Sequence, residues 1–137
     1  MHKQEITVAA AVENLEAVTA FVDEYLEKIG CSPRSQMQLD IAVDELFSNI
    51  AYYAYPQGNG EVTLRLEVAE EPSCTVLTFI DSGIPYNPLS HADPNTMLPA
   101  EERETGGLGI YMVKKFMDAV SYAYEDGKNI LTIKKKL

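Results

Sequence analysis

Three short stretches of this chain hold groups that could do chemistry. Glu45 and Asn49 stand four residues apart, so on a helix they share one face. Carboxylate and amide oxygens are hard ligands of the kind Mg²⁺ accepts, one or two at a time beside phosphates and waters. On that reading Asn49 sits on the metal, and Glu45 activates a water or a hydroxyl. The same spacing suits a polar pair on a helix surface, with Asp44 and Ser48 as polar neighbours. Asp81-Ser82-Gly83 closes an apolar run. A carboxylate at a strand end can accept a hydrogen bond from an exocyclic amine, and a glycine beside it lets a flat base approach the backbone. An ordinary Asp-Ser-Gly turn uses the same residues. Thr105-Gly106-Gly107-Leu108-Gly109 opens a helix-like run that ends in Phe116-Met117-Asp118. Small residues at a helix start present unpaired N–H groups to an anion, and the helix dipole adds about half a positive charge there. A polyphosphate suits such a place, although glycines at a cap also simply relieve crowding.

Familiar phosphate motifs do not account for these residues. No G-x-x-x-x-G-K-[ST] is present, and the glycines do not follow a first strand as a dinucleotide fingerprint would. The H-R-D and D-F-G motifs of eukaryotic-type protein kinases are missing as well.

The elements that must position these groups follow from periodicity. Glu5 to Ala10 alternates and reads as a first strand. Leu15, Val18, Val22, Leu26 and Ile29 recur at three and four, which predicts a helix from Val12 to Ile29 that Gly30 stops. Ser32-Pro33 starts a second helix, with serine as N-cap and proline at the first helical position, running to about Ala54. Its second half is apolar nearly all round, which places it against more than one neighbour. Val62 to Val68 alternates as a half-buried strand, and Cys74 to Ile80 reads as a more apolar one paired antiparallel to it. From Ser82 to Thr105 four prolines interrupt the chain. So long a loop in a small domain is most often a functional lid. Leu108 to Val120 reads as a third helix. Ser121–Tyr124 and Ile130–Lys134 read as a hairpin across Asp126-Gly127, where a tight turn needs positive φ. The order predicts an α+β fold over a single domain, residues 1–137: a two-layer α/β sandwich with a mixed, mostly antiparallel sheet and helices on one face.

Composition narrows the function. The 137 residues carry 21 Asp and Glu against 11 Lys and Arg, a formal net charge of -10. Such a surface repels nucleic-acid phosphate, so no direct nucleic-acid binding is expected. It favours solubility, or docking to a basic protein partner. Lys134-Lys135-Lys136 is too short to reverse this. Cys31 and Cys74 have no metal or redox spacing and read as reduced thiols. No signal peptide or membrane span is evident, which points to a cytoplasmic protein without membrane association.

Taken in order, the three segments resemble the GHKL (Bergerat-fold) ATPase superfamily, and within it the small bacterial anti-sigma-factor serine/threonine kinases of the HATPase_c-like type. Glu45-x-x-x-Asn49, with Ala54-Tyr55 beyond it, looks like the N box. Asp81-Ser82-Gly83-Ile84-Pro85-Tyr86-Asn87-Pro88 is similar to the D-x-G-x-P-F-D-P segment. Gly106-Gly107-Leu108-Gly109-Ile110, continued by Met117-Asp118, resembles the second glycine box. The resemblance implies a Bergerat ATP-binding fold with ATP and Mg²⁺ as cofactors. Glu45 would be the general base, Asn49 the Mg²⁺ ligand and Asp81 the adenine contact, with Gly83 giving the base room. Thr105, Gly106, Gly107, Leu108 and Gly109 would cradle phosphate, residues 87–105 would form an ATP lid, and Arg103 would reach the γ-phosphate. Tyr53 departs from the histidine common in the family, and the lid is rather long.

The function implied is that of a serine/threonine protein kinase. It would phosphorylate a STAS-like anti-anti-sigma protein and bind and silence a sigma factor. The alternatives are a nucleotide-gated partner-switching module with little or no kinase activity, and a partner-switching protein that has lost nucleotide. Members of this branch are often dimers, and the apolar first strand and helix leave a homodimer open.

Overall fold

A computed structural model describes residues 3–70, 73–90 and 107–137. Five strands and three helices follow the expected order. They are β1 (Lys3–Ala9), α1 (Leu15–Lys28), α2 (Pro33–Tyr53), β2 (Glu61–Ala69), β3 (Cys74–Asp81), α3 (Gly107–Phe116), β4 (Ala119–Glu125) and β5 (Lys128–Lys136). The sheet order is β1-β2-β3-β5-β4, and every neighbouring pair is antiparallel. The mixed sheet anticipated from sequence is thus wholly antiparallel among the described strands. None of the described helices is long and apolar enough to cross a membrane.

Alternation along the strands decides which residues face the helices. The register sets Ile6, Leu64, Phe79, Leu131 and Tyr122 in one row across all five strands. The next core-facing row toward the other end is Leu66, Leu77, Ile133 and Val120. These side chains form one hydrophobic cluster with Val18, Val22 and Leu26 of α1, Leu39, Val43, Leu46 and Phe47 of α2, and Ile110 and Val113 of α3. All three helices therefore cover one face. Phe47 is 1% exposed at the centre of this layer, and its truncation to alanine would cost about 3–5 kcal/mol. On the other face Arg65 pairs with Glu5 across β1 and β2 at 2.6 Å.

Local signals end these elements where side-chain chemistry allows. Ser32 is extended at the start of α2, and its hydroxyl accepts from Ser35 N at 3.2 Å. Asp126 and Gly127 both take positive φ, 52° and 75°, in the β4–β5 turn. Two helices are shorter than their periodicity suggests. Val12–Asn14 is a 3-10 turn, so α1 begins only at Leu15. The third helix stops at Phe116, four residues before Val120. Asp118 N donates to Lys134 O, drawing the chain into β4, and the Lys135 ammonium caps the Phe116 carbonyl at 2.6 Å. Val120 stays in the core, but as a strand residue.

Candidate functional site

The second half of α2 carries the first group. Leu39, Ala42, Val43, Leu46 and Phe47 bury one broad face of the helix, and the polar positions Glu45 and Asn49 emerge at its margin, half-buried. Asn49 Nδ2 donates to Glu45 Oε1 at 3.2 Å. That bond orients the amide and leaves Asn49 Oδ1 with no hydrogen bond among the described residues. Burial pushes the Glu45 carboxyl above its ordinary value; the Asn49 hydrogen bond opposes the rise, and the Asp44 charge adds to it.

The glycine-rich start of α3 reaches the same place. Gly107 opens the helix, with Leu108 and Gly109 in its first turn. A Cβ built on Gly109 would lie 2.2 Å from Glu45 Cδ and Oε2. Glycine lets α3 settle against the carboxylate of α2 without pushing that side chain aside. The first-turn N–H groups of α3, which have no partner within the helix, are thereby held near Glu45 and Asn49.

Asp81 closes β3 on the core face of the sheet and is 5% exposed. Its Oδ1 accepts two hydrogen bonds, from Gly83 N and from Asn129 Nδ2, each at 2.9 Å. Its Oδ2 takes none among the described residues. Burial raises the Asp81 carboxyl above its usual range, and both donors act against that rise. Gly83 is required here by space. Ile84 N donates to Ala54 O at 2.9 Å, which brings the loop onto the end of α2, and a Cβ on Gly83 would sit 2.2 Å from that same Ala54 oxygen. Tyr55 locks the loop from the other side. Its hydroxyl donates to Glu61 O at 2.6 Å and accepts from Ser82 N at 2.7 Å.

One pocket runs from Asn49 to Asp81. Asn49, Ile50 and Ala54 of the α2 segment, Asp81, Ile84 and Tyr86 beyond β3, and Tyr122, Asn129 and Leu131 of the β4–β5 hairpin line it. Its walls are apolar, with Asp81, Asn49 and Asn129 as convergent polar groups, the makeup of a small-molecule site.

Of the expected site residues, Glu45, Asn49 and Gly109 meet at the α2–α3 contact, and Asp81 and Gly83 meet beside Asn49 in the pocket. Thr105, Gly106, Arg103 and nearly all of the expected lid lie outside the described residues. Tyr53 leaves the core packing of α2 alone. It is 46% exposed, and its ring meets those of Tyr52 and Tyr86 at 6.2 and 6.3 Å between centroids. Asn129 and Tyr122 have no place in the motifs read from sequence, and Tyr55 and Tyr86 stand in those motifs without an assigned role. A polar residue at a core-facing position of β5 was the available signal for Asn129, but it gains meaning only from the register that places it opposite Asp81.

The donor set suits Mg²⁺ held chiefly through phosphates. Asn49 offers an amide oxygen with no hydrogen bond among the described residues, beside the Glu45 carboxylate.

The chain is similar to known proteins in sequence and in fold. Over 102 residues the chain is 28% identical to the serine/threonine-protein kinase BtrW of Bordetella bronchiseptica, covering 74% of this chain and 71% of that one. Over 138 residues it is 23% identical to the serine-protein kinase RsbW of Bacillus mycoides, covering 96% and 84%. The fold superposes on the crystal structure of the RsbU and RsbW domains of Rv1364c from Mycobacterium tuberculosis with a TM-score of 0.72 at 17% identity, covering all of this chain and 33% of that one. It also matches the histidine kinase domain of a blue-light-activated kinase from Erythrobacter litoralis, with a TM-score of 0.57 at 14% identity, over 92% of this chain and 60% of that one. Residues 8–135 match the histidine kinase-like ATPase domain, and the chain belongs to that family.

Proposed function

We propose that this chain, as a single domain over residues 1–137, binds Mg-ATP and transfers its γ-phosphoryl group to a serine or threonine of a STAS-like anti-anti-sigma protein. It would also sequester a sigma factor, with phosphorylation deciding which partner is held. The observation that carries the reading is the meeting of Glu45, Asn49 and the Gly109 turn beside a pocket that ends at Asp81. The names of the RsbW and BtrW relatives support the choice of a protein hydroxyl as acceptor.

In this reading adenine lies in the apolar pocket with its amine toward Asp81 Oδ2. The phosphates extend toward the start of α3, where the backbone N–H groups of Gly107, Leu108 and Gly109 bind them. Thr105, Gly106 and Arg103 belong to the same proposal. Asn49 Oδ1 would hold Mg²⁺, which when bound would supply neutralisation of the phosphate charge. Glu45 takes the proton of the acceptor hydroxyl as the new O–P bond forms and the bond to the ADP oxygen breaks. Its raised affinity for protons suits a base that must accept one near neutral pH. Most of the rate comes from positioning and charge stabilisation.

Two measurements test this. Mg-ATP should protect the protein against heat, since a ligand at a hundred times its dissociation constant adds about 2.7 kcal/mol. Labelled phosphate should pass to a STAS protein. Heat protection without transfer would identify a nucleotide-gated binding module instead, and the absence of both protection and transfer would sink the nucleotide reading.

A further inference from the structure

Asn129 sits one strand away from Asp81, in a place where its amide is used completely. It is 5% exposed and pairs with Asp81 across β3 and β5. Its Nδ2 donates to Asp81 Oδ1 at 2.9 Å and to Ile84 O at 2.8 Å. Its Oδ1 accepts from Tyr86 N at 3.1 Å and from the Tyr122 hydroxyl. Two donors and two acceptors fix the amide in one orientation, because a flip would oppose like groups at Asp81 Oδ1, Ile84 O and Tyr86 N.

We propose that Asn129 is a positioning residue that sets base specificity: by engaging Asp81 Oδ1 and anchoring the 84–86 backbone, it presents Oδ2 alone to the pocket and makes the site select an amino-purine over an oxo-purine. The inference rests on the nucleotide reading above and deepens it. Oδ1 already carries two hydrogen bonds and is turned toward the loop. Oδ2 is left as a pure acceptor on a residue that lines the pocket. An exocyclic amine satisfies it. A carbonyl oxygen in the same place would set two acceptors against each other in an apolar surrounding, where unpaired polar groups are costly. The Asn129 donor also works against the burial that drives Asp81 toward its neutral form. A neutral Asp81 could turn a hydroxyl toward a carbonyl, and the selection would be lost.

The test compares Mg-ATP with Mg-ITP, whose base carries an oxo group where adenine has its amine. Affinities are titrated on the full chain, with thermal melting to confirm that each variant is folded. The wild type should prefer Mg-ATP by about 100-fold. Asn129→Asp keeps the shape but replaces the donor by an acceptor, and should reduce that ratio about tenfold or more, chiefly through weaker Mg-ATP binding. Tyr122→Phe removes one contact to the Asn129 amide while leaving the core ring in place, and should reduce the ratio about threefold. If Asn129→Asp and Tyr122→Phe both keep the wild-type ratio, Asn129 does not set specificity, even if both nucleotides bind more weakly. A wild type that binds neither nucleotide would refute the nucleotide reading itself, which separates the two failures.

Discussion

Gly109 and Glu45 come from different helices and touch so closely that a Cβ on the glycine would lie 2.2 Å from the carboxylate. The obstacle it would meet is the far end of a flexible side chain, which can swing aside. Gly109→Ala should therefore melt within about 5 °C of the wild type. On the proposed function it should nevertheless lose most phosphoryl transfer, because the displaced carboxylate would no longer face the acceptor. A variant with full transfer would show that this contact does not hold the base in place.

Gly83→Ala meets a harder neighbour. Its Cβ would lie 2.2 Å from a backbone oxygen, Ala54 O, which already accepts from Ile84 N. The loop would have to lift from the end of α2, losing that bond and loosening the pocket. The expected cost is about 2–4 kcal/mol, read as a drop in the denaturant midpoint without a change in slope. An unchanged midpoint would contradict the packing described for this loop.

As the proposed base, Glu45 must be ionised to take a proton. Its carboxyl is raised by burial above the ordinary 4.5. Transfer should climb with pH along a limb lying above that value, and level off once the carboxylate is fully formed. Glu45→Gln should retain heat protection by Mg-ATP and lose transfer by about 10²–10⁴-fold, along with the limb. Persistent transfer in this variant would remove Glu45 from the role of base.

Asp40 supplies a pH dependence of stability that is separate from the site. Burial, then a shared hydrogen bond with Asp23 and the Asp23 charge, push its carboxyl up from 3.8 to about 7. Its Oδ1 is buried with no donor among the described residues, and sharing with another carboxyl requires a proton. Between these two values the folded chain binds more protons at Asp40 than the unfolded chain does. Stability from this residue is thus full below about pH 4, falls as pH rises toward 7, and stays low beyond. Because Asp40 is only half-buried, solvent screening reduces the effect to about 1–2 kcal/mol. Asp40→Asn should flatten the curve and melt about 3–6 °C above the wild type at pH 8. Identical pH profiles for the two proteins would dismiss the shared proton.

Much of this architecture was legible without coordinates because the information is local. Ser32-Pro33 at the head of α2, Asp126-Gly127 in the last hairpin and the alternation of β2 each act within a few residues of where they are written. Glu45, Asn49, Asp81 and the glycine turn could likewise be picked out by spacing and type. Tertiary structure alone decided how they meet. The end of α3 at Phe116 depends on Lys134 and Lys135 of a strand still to come. The restriction on Gly109 arises from a side chain 64 residues earlier. Asn129 gained its place through a register set across three strands, 48 residues from the aspartate it holds. Such pairings follow from which apolar faces must be buried together, and a one-residue slip of β5 would turn Asn129 to the face away from Asp81.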